Sequence, residues 1–321
     1  MLNIALVGAW HVHFHGYAKN VAGRIDCKIT ALWDDDPARG SAAAEEFACE
    51  FVGDYGALLA RPDVDAILVS SATNLHPELI IKAAKAKKHI FTEKVLAVKY
   101  ADALEMKKAV DGSGVKFCIS FPWRCRADFL CIKDMLEKKV LGDVTYIRMR
   151  NAHNGASGNW LPETFYDKEA CGGGAMMDLG AHPMYLLNWL MGRPKSVMSA
   201  FTNVTVESVE DNAVSVLEYA NGAIGVSETA FVAENNPFSL EIVGTKGSLF
   251  AGGPMSILTY KTDGDWETPE LDETLPSPLD IWIDGILDGS EIPFDIDDAV
   301  ALTEIMDAAY RSHEGGCKVM L

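Results

Sequence analysis

Positive charge is scarce in this chain. Its 28 lysines and arginines face 46 aspartates and glutamates, leaving a formal net charge of −18. A field of that sign repels phosphate backbones and anionic bilayer surfaces, so neither nucleic acid nor a membrane is the expected partner. Long apolar runs are missing too. The longest candidate, Met184–Met191, is interrupted by Asn188 and falls short of the roughly 18–20 residues a spanning helix needs. No basic stretch precedes the first apolar run, so no secretory signal is expected. The seven cysteines (27, 49, 118, 125, 131, 171 and 317) form no Cys-x-x-Cys pair. They read as reduced thiols, which makes the cytoplasm the expected compartment. With 49% hydrophobic and 23% charged residues, disorder is excluded as the main state.

What is present is a change of pattern part-way along the 321 residues. Up to residue 121, short apolar runs alternate with helical periodicity. Asn3–Val7, Lys28–Trp33, Asp65–Ser70, His89–Thr92 and Val115–Ser120 read as strands buried on both faces of a parallel sheet. Asp36-Pro37 is an N-cap and first-turn pair opening a helix over Ala38–Phe47. Leu79–Ala86 and Ala101–Val110 read as further helices. The expectation is an α/β fold whose residues 1–121 form a doubly wound parallel sheet. From 122 to 321 the expectation is an α+β domain with a mostly antiparallel sheet. It starts with a helix at Asp128–Glu137 and a strand at Val144–Ala152. A glycine run, Gly172–Gly174, feeds a helix over Ala175–Met191. Strands follow to Tyr260, with Asn221-Gly222 as the strongest hairpin signal and Thr245-Lys246-Gly247 as a second turn. A last helix, about 299–312, is expected to pack back on the N-terminal domain.

The first strand ends at Gly8-Ala9-Trp10-His11-Val12-His13. A dinucleotide fold wants Gly-x-Gly-x-x-Gly here, for a tight turn, close approach to a pyrophosphate and close helix packing. Only Gly8 is present; Trp10 and His13 fill the other glycine positions. The strand–turn–helix context is nevertheless right, and amides at a helix N-terminus can hold an anion. The second strand ends at Asp34, where an acidic residue reads ribose hydroxyls. Asp35 and Asp36 follow it, and three carboxylates would repel a 2′-phosphate, so NAD is expected in preference to NADP. His11, His13 and His15 also admit a metal reading, a hydrolase built on His11 and His13. No later histidine or carboxylate stands in a recognisable metal setting, so no metal site is assigned. These histidines then line the cofactor pocket or lie on the surface. Lys94, in Thr92-Glu93-Lys94-Val95, stands at a strand end on the ligand edge and could move a proton. Asp178 and His182 are four apart on the expected helix and so share a face, where a carboxylate can orient an imidazole.

Taken together these residues resemble the glucose-fructose oxidoreductase / inositol dehydrogenase / MocA family, along the whole chain. The resemblance rests on Gly8, Asp34 with Asp36-Pro37, Ser71-Ala72-Thr73-Asn74-Leu75-His76, Glu93-Lys94, the Gly-Gly-Gly…Asp178-x-Gly180-x-His182 motif, the helix with Ala308-Ala309-Tyr310-Arg311-Ser312, and the closing strand Lys318–Leu321. It implies a Rossmann domain followed by an α/β domain with an open, largely antiparallel sheet, through which members pair as dimers or tetramers. It implies hydride transfer between a nicotinamide cofactor and a hydroxyl-bearing carbon, usually of a sugar or polyol. Lys94, Asp178 and His182 would be the catalytic group. Gly8, Trp10, His11, Val12, Asp34, Ser71, Thr73, Asn74, His76, Glu93 and Lys94 would line the cofactor, with Asn74 and His76 on the nicotinamide side. Trp123, Arg124 and Trp160 would join Lys94, Asp178 and His182 at the substrate. Two features depart from the family pattern: Val95 replaces the usual proline after Glu-Lys, and the loop has fewer glycines. The second motivates an alternative of another class, a nucleotide-binding sensor or scaffold without turnover.

Overall fold

The apolar runs of the first 120 residues become the strands of one sheet. The computed structural model describes residues 1–235, 237–253 and 257–321. Strands β1 (Leu2–Val7), β2 (Cys27–Trp33), β3 (Glu50–Phe51), β4 (Ala66–Val69), β5 (His89–Thr92) and β6 (Phe117–Ile119) stand in the order β3-β2-β1-β4-β5-β6. Every pair is parallel. Ile4, Leu6, Ile67 and Leu68 have no exposed surface, as a sheet covered on both faces requires. Helices α1 (Phe14–Gly23), α2 (Pro37–Glu46), α3 (Tyr55–Ala60), α4 (His76–Lys85) and α5 (Tyr100–Asp111) connect the strands. Asp36 caps α2 by accepting the Ala38 and Arg39 amides at 2.8 and 3.2 Å. Strand order reverses between β1 and β4, which opens the crevice where such sheets receive ligands. The sequence reading lacked β3 and α3, because elements this short carry almost no periodicity.

The second half begins with α6 (Ala127–Glu137) and β7 (Val144–Ala152). After the short α7 (Lys168–Cys171), the expected single helix is divided into α8 (Ala175–Asp178) and α9 (Ala181–Met191). The break has a visible cause. The Leu179 carbonyl accepts the Asn151 side-chain amide at 3.0 Å, and the Gly180 amide reaches back to Ala175 at 3.0 Å. Then come β8 (Ser196–Thr202), β9 (Asn212–Glu218), β10 (Ile224–Ala230), β11 (Phe238–Gly244), β12 (Ser248–Gly252) and β13 (Thr259–Lys261). The Asn221-Gly222 hairpin joins β9 to β10 as expected, with Gly222 at φ +89°. Thr245–Gly247 turns β11 into β12, closed by the Gly244 amide on the Gly247 carbonyl at 2.8 Å. The sheet runs β13-β12-β11-β7-β10-β9-β8, with β14 (Val319–Met320) on the β8 edge. All pairs are antiparallel except β7–β10. Helices α8 and α9 lie on β7, β9 and β10.

The described residues fall into two units, Met1–Ser120 with Pro276–Val300 and Phe121–Leu275 with Ala301–Leu321. In the first, α10 (Pro278–Leu287) lies on β5 and β6 and buries Trp282 completely. Ser277 caps it through the Asp280 amide at 3.2 Å. The sequence reading passed over this helix and gave the return to the parallel sheet to the last one. Helix α11 (Ile296–Gly315) belongs to the first unit only as far as Val300. No helix among the described residues is long and apolar enough to cross a membrane.

Candidate active site

On the first unit, the cofactor-type residues cluster at the C-terminal ends of β1, β2, β4 and β5. Gly8 has φ +81°, and a Cβ there would lie 2.7 Å from the Ser71 backbone. The position therefore needs glycine for its conformation and for the close approach of the β1 and β4 loops. The rest of the loop is tied down internally. The Ala9 amide donates to Asp34 at 2.7 Å, and the Trp10 and His11 amides donate to the Ser70 carbonyl at 3.2 and 3.0 Å. The His13 amide donates to His11 Nδ1 at 3.2 Å, and Val12 is exposed. These bonds hold the shape that the missing glycines would otherwise provide.

Asp34 sits where the sequence reading put it, at the end of β2, but it does not stand open. Its carboxylate, with no exposed surface, accepts the Ala9 and Asp36 amides and a bidentate pair from Arg39 at 3.0 and 2.6 Å. Arg39 also meets Asp35 at 2.7 Å. A helix residue five positions on was not expected to cover this carboxylate. Ser71 is buried, and its hydroxyl has no partner. Thr73 is buried, and Asn74 is exposed. His76 turns inward. Its Nδ1 faces the Val95 and Leu96 carbonyls at 3.1 and 3.2 Å, and its Nε2 faces the Ser71 carbonyl at 3.3 Å. It brackets the loops after β4 and β5 rather than offering its ring outward. Burial holds its pKa below the ordinary histidine value, although the surrounding carbonyls act the other way.

Glu93 and Lys94 are both buried at the end of β5. Glu93 accepts the Lys94 amide at 3.0 Å and meets His13 Nδ1 at 2.7 Å and the Tyr17 hydroxyl. Tyr17 also bonds Ser120 at 2.8 Å. Burial alone would raise the Glu93 pKa. His11, His13 and Lys94 outweigh it and hold the carboxyl well below the usual range. The carboxylate that the sequence reading did not find for His11 and His13 is therefore Glu93.

On the second unit, His182 is in the first turn of α9, and Asp178 ends α8. They are not on one continuous helix, because of the break at Leu179–Gly180. His182 Nδ1 bonds the Tyr185 hydroxyl at 3.0 Å, and the ring stacks on Trp123 with centroids 4.8 Å apart. Tyr185 also accepts the Trp123 amide at 3.2 Å. Arg124 lies over the Trp189 ring at 5.1 Å. Asp178 acts electrostatically on His153, whose pKa burial lowers and Asp178 pushes back up. His153 stacks on Phe231 and tilts against Trp160 at 4.7 Å. Trp160 is 55% exposed, and its indole N–H donates to Asn154 at 2.9 Å. Tyr185 and His153 were missed as site residues. The i, i+3 spacing of His182 and Tyr185 carried a signal for the first; no local pattern links His153 to Asp178. The glycine run has a packing reason. A Cβ on Gly173 would meet the Tyr310 hydroxyl at 1.9 Å, and one on Gly174 the Glu210 carbonyl at 2.1 Å.

Comparison with known proteins follows the same division. Residues 2–121 match the oxidoreductase family with an NAD-binding Rossmann fold. Residues 129–250 match the GFO/IDH/MocA C-terminal domain. The chain belongs to the GFO/IDH/MocA oxidoreductase family. Inositol 2-dehydrogenase of Rhizobium meliloti is 26% identical over 312 residues, 92% of each chain. D-glucoside 3-dehydrogenase of Escherichia coli K12 is 24% identical over 348 aligned positions, covering 100% of this chain and 97% of that one. Levoglucosan dehydrogenase, solved with NADH and levoglucosan, superposes with a TM-score of 0.85 at 20% identity, over 99% of both chains. The architecture of this family, a Rossmann sheet followed by a mostly antiparallel one, is the one seen here.

The first unit has features that fit a nicotinamide dinucleotide. Gly8 makes the close approach, the buried Ser71 hydroxyl lacks a partner, and Asp34 stands at the end of β2. Arg39 lies against the Asp34 carboxylate, with its own side chain 30% exposed.

Proposed function

We propose that this protein is an NAD-dependent dehydrogenase or reductase acting on a hydroxyl-bearing carbon of a sugar, polyol or similar small molecule. The observation that carries the proposal is the buried Lys94 at the end of β5, next to an ionised Glu93, in a chain of this family. Relatives named for inositol and for a glucoside support that substrate class. We assign the cofactor to Gly8, Trp10, His11, Val12, Asp34, Ser71, Thr73, Asn74, Glu93 and Lys94, with His76 bracketing the loops. NAD, when bound, supplies the hydride acceptor. Lys94 or His182 takes the hydroxyl proton. Tyr185 bonds His182 Nδ1 and orients the ring. Asp178 sits at the end of α8 and acts on His153, and Trp123 fixes the His182 ring plane by stacking. Trp123, Arg124 and Trp160 face the substrate.

NAD is preferred to NADP in this reading. Asp34, Asp35 and Asp36 outnumber the single Arg39 guanidinium, so the local charge opposes a 2′-phosphate. The copies pair through the open sheet. Met198, Val216 and Val226 stand in register across β8, β9 and β10, and the first two are exposed. Seven cysteines, none in a disulfide among the described residues, support a reducing compartment, the cytoplasm.

The test is thermal shift with NAD(H) against NADP(H), followed by a sugar and polyol screen that reads NADH absorbance. Stabilisation by NAD(H), then turnover abolished by Lys94→Ala or His182→Ala, is expected. Binding without turnover across the panel favours the sensor reading, and no shift with either cofactor overturns both.

A further inference from the structure

The cluster of His11, His13 and Glu93 goes beyond the family reading. One ligand atom from each residue lies within 4.8 Å of the others. His13 Nδ1 is 2.7 Å and His11 Nδ1 3.8 Å from the same Glu93 oxygen. Donor atoms around a four-coordinate zinc are about 3.3 Å apart, given metal–ligand bonds of about 2.0–2.1 Å. The two distances bracket that spacing, so small side-chain rotations would admit an ion. We infer that His11, His13 and Glu93 form a binding site for a divalent transition ion of the zinc class, with a fourth position open toward solvent.

Donor chemistry selects the ion. Two imidazole nitrogens and one carboxylate suit zinc and its neighbours, whereas magnesium and calcium favour all-oxygen shells. His11 Nδ1 accepts the His13 amide hydrogen at 3.2 Å, and an ion bound there would take over that lone pair. The Tyr17 hydroxyl and the Lys94 amide hold the Glu93 carboxylate, and Ser120 holds Tyr17. His11 is buried, whereas the His13 side chain is half exposed and supplies the entry path. Metal ligands must be deprotonated, so binding weakens as pH falls. The Lys94 charge, which acts on Glu93, opposes a dication and lowers the expected affinity.

The experiment is equilibrium dialysis of the full chain against micromolar Zn²⁺ with elemental analysis, paired with Co²⁺ visible spectra. Wild type should hold one equivalent and give the intense visible band of four-coordinate cobalt. His13→Ala, at a half-exposed position, should melt lower because buried Glu93 loses a partner, but should remain folded at the assay temperature and lose both signals. Glu93→Gln should lose them as well, read only if its melting curve shows a folded chain. His15→Ala, whose ring pairs with Glu46 at the surface, and Cys317→Ser, which removes an exposed thiol, should bind as wild type does. Wild type without stoichiometric metal overturns the inference, as does a folded His13→Ala that binds undiminished.

Discussion

Replacing Asp34 by alanine should weaken both the fold of the first unit and its hold on the cofactor. The Asp34 carboxylate has no exposed surface and receives four hydrogen bonds, two from the Ala9 and Asp36 amides and two from Arg39. Two amides left without an acceptor cost about 1 kcal/mol each. The Arg39 guanidinium, 30% exposed, recovers most of its hydration, so its share is about 1 kcal/mol. The sum is a loss of about 3 kcal/mol. For a unit of this size that lowers Tm by about 6–12 °C. Asp34→Asn keeps one carbonyl acceptor and should lose about half as much. The assay is a thermal melt at fixed scan rate, repeated with NADH. If Asp34 reads the ribose, the NADH affinity of the asparagine variant falls about tenfold, or about 1.4 kcal/mol. An alanine variant that melts within about 1 °C of wild type would show that the Arg39–Asp34 network holds nothing together.

Lys94→Met and His182→Ala should each lower kcat by about 10²–10⁴-fold, measured by steady-state kinetics, with the NADH-induced melting shift kept in His182→Ala and reduced in Lys94→Met, because Lys94 also lines the cofactor; unchanged turnover in both removes the acid–base assignment. Arg39→Ala removes the one guanidinium at the end of β2, so it should weaken NADPH binding more than NADH binding, and an NADPH gain would reverse the charge argument. Stability should fall as pH drops below about 6.5, because buried His76 resists the proton that the unfolded chain accepts. A second loss should follow below about 4.5, where the unfolded Glu93 carboxyl takes a proton before the folded one does. Urea titrations at fixed pH steps check the sign, and a flat profile from pH 7 to about 5 contradicts the first window. Gly174→Ala drives a Cβ to 2.1 Å from the Glu210 carbonyl and should destabilise by about 3 kcal/mol, read as a lowered Tm.

Local patterns in this sequence were enough for a large part of the fold. Strands covered on both faces must be apolar throughout, so Ala66–Val69 and Leu2–Val7 could be read one run at a time. Asp36-Pro37 and Asn221-Gly222 dictate their cap and turn by backbone preference alone. The Asp34 position followed from where its strand ends. None of these needs a distant partner. The helix expected over Ala175–Met191 shows where local reasoning stops. Its periodicity was sound, and the break came from Asn151, a side chain on another strand. The same limit applies to the site chemistry. Arg39 covering Asp34, Glu93 meeting a histidine 80 positions earlier, and Asp178 acting on His153 are all set by which strand ends the sheets bring together. Periodicity records which face of an element is buried; it holds no record of what that face will meet. The sequence by itself determined the two kinds of sheet and the residues at their edges, because burial and turn geometry act over a few neighbours. Only the tertiary structure decided which of those residues are paired, and with what, because hydrogen bonds and charge act between atoms brought close in space.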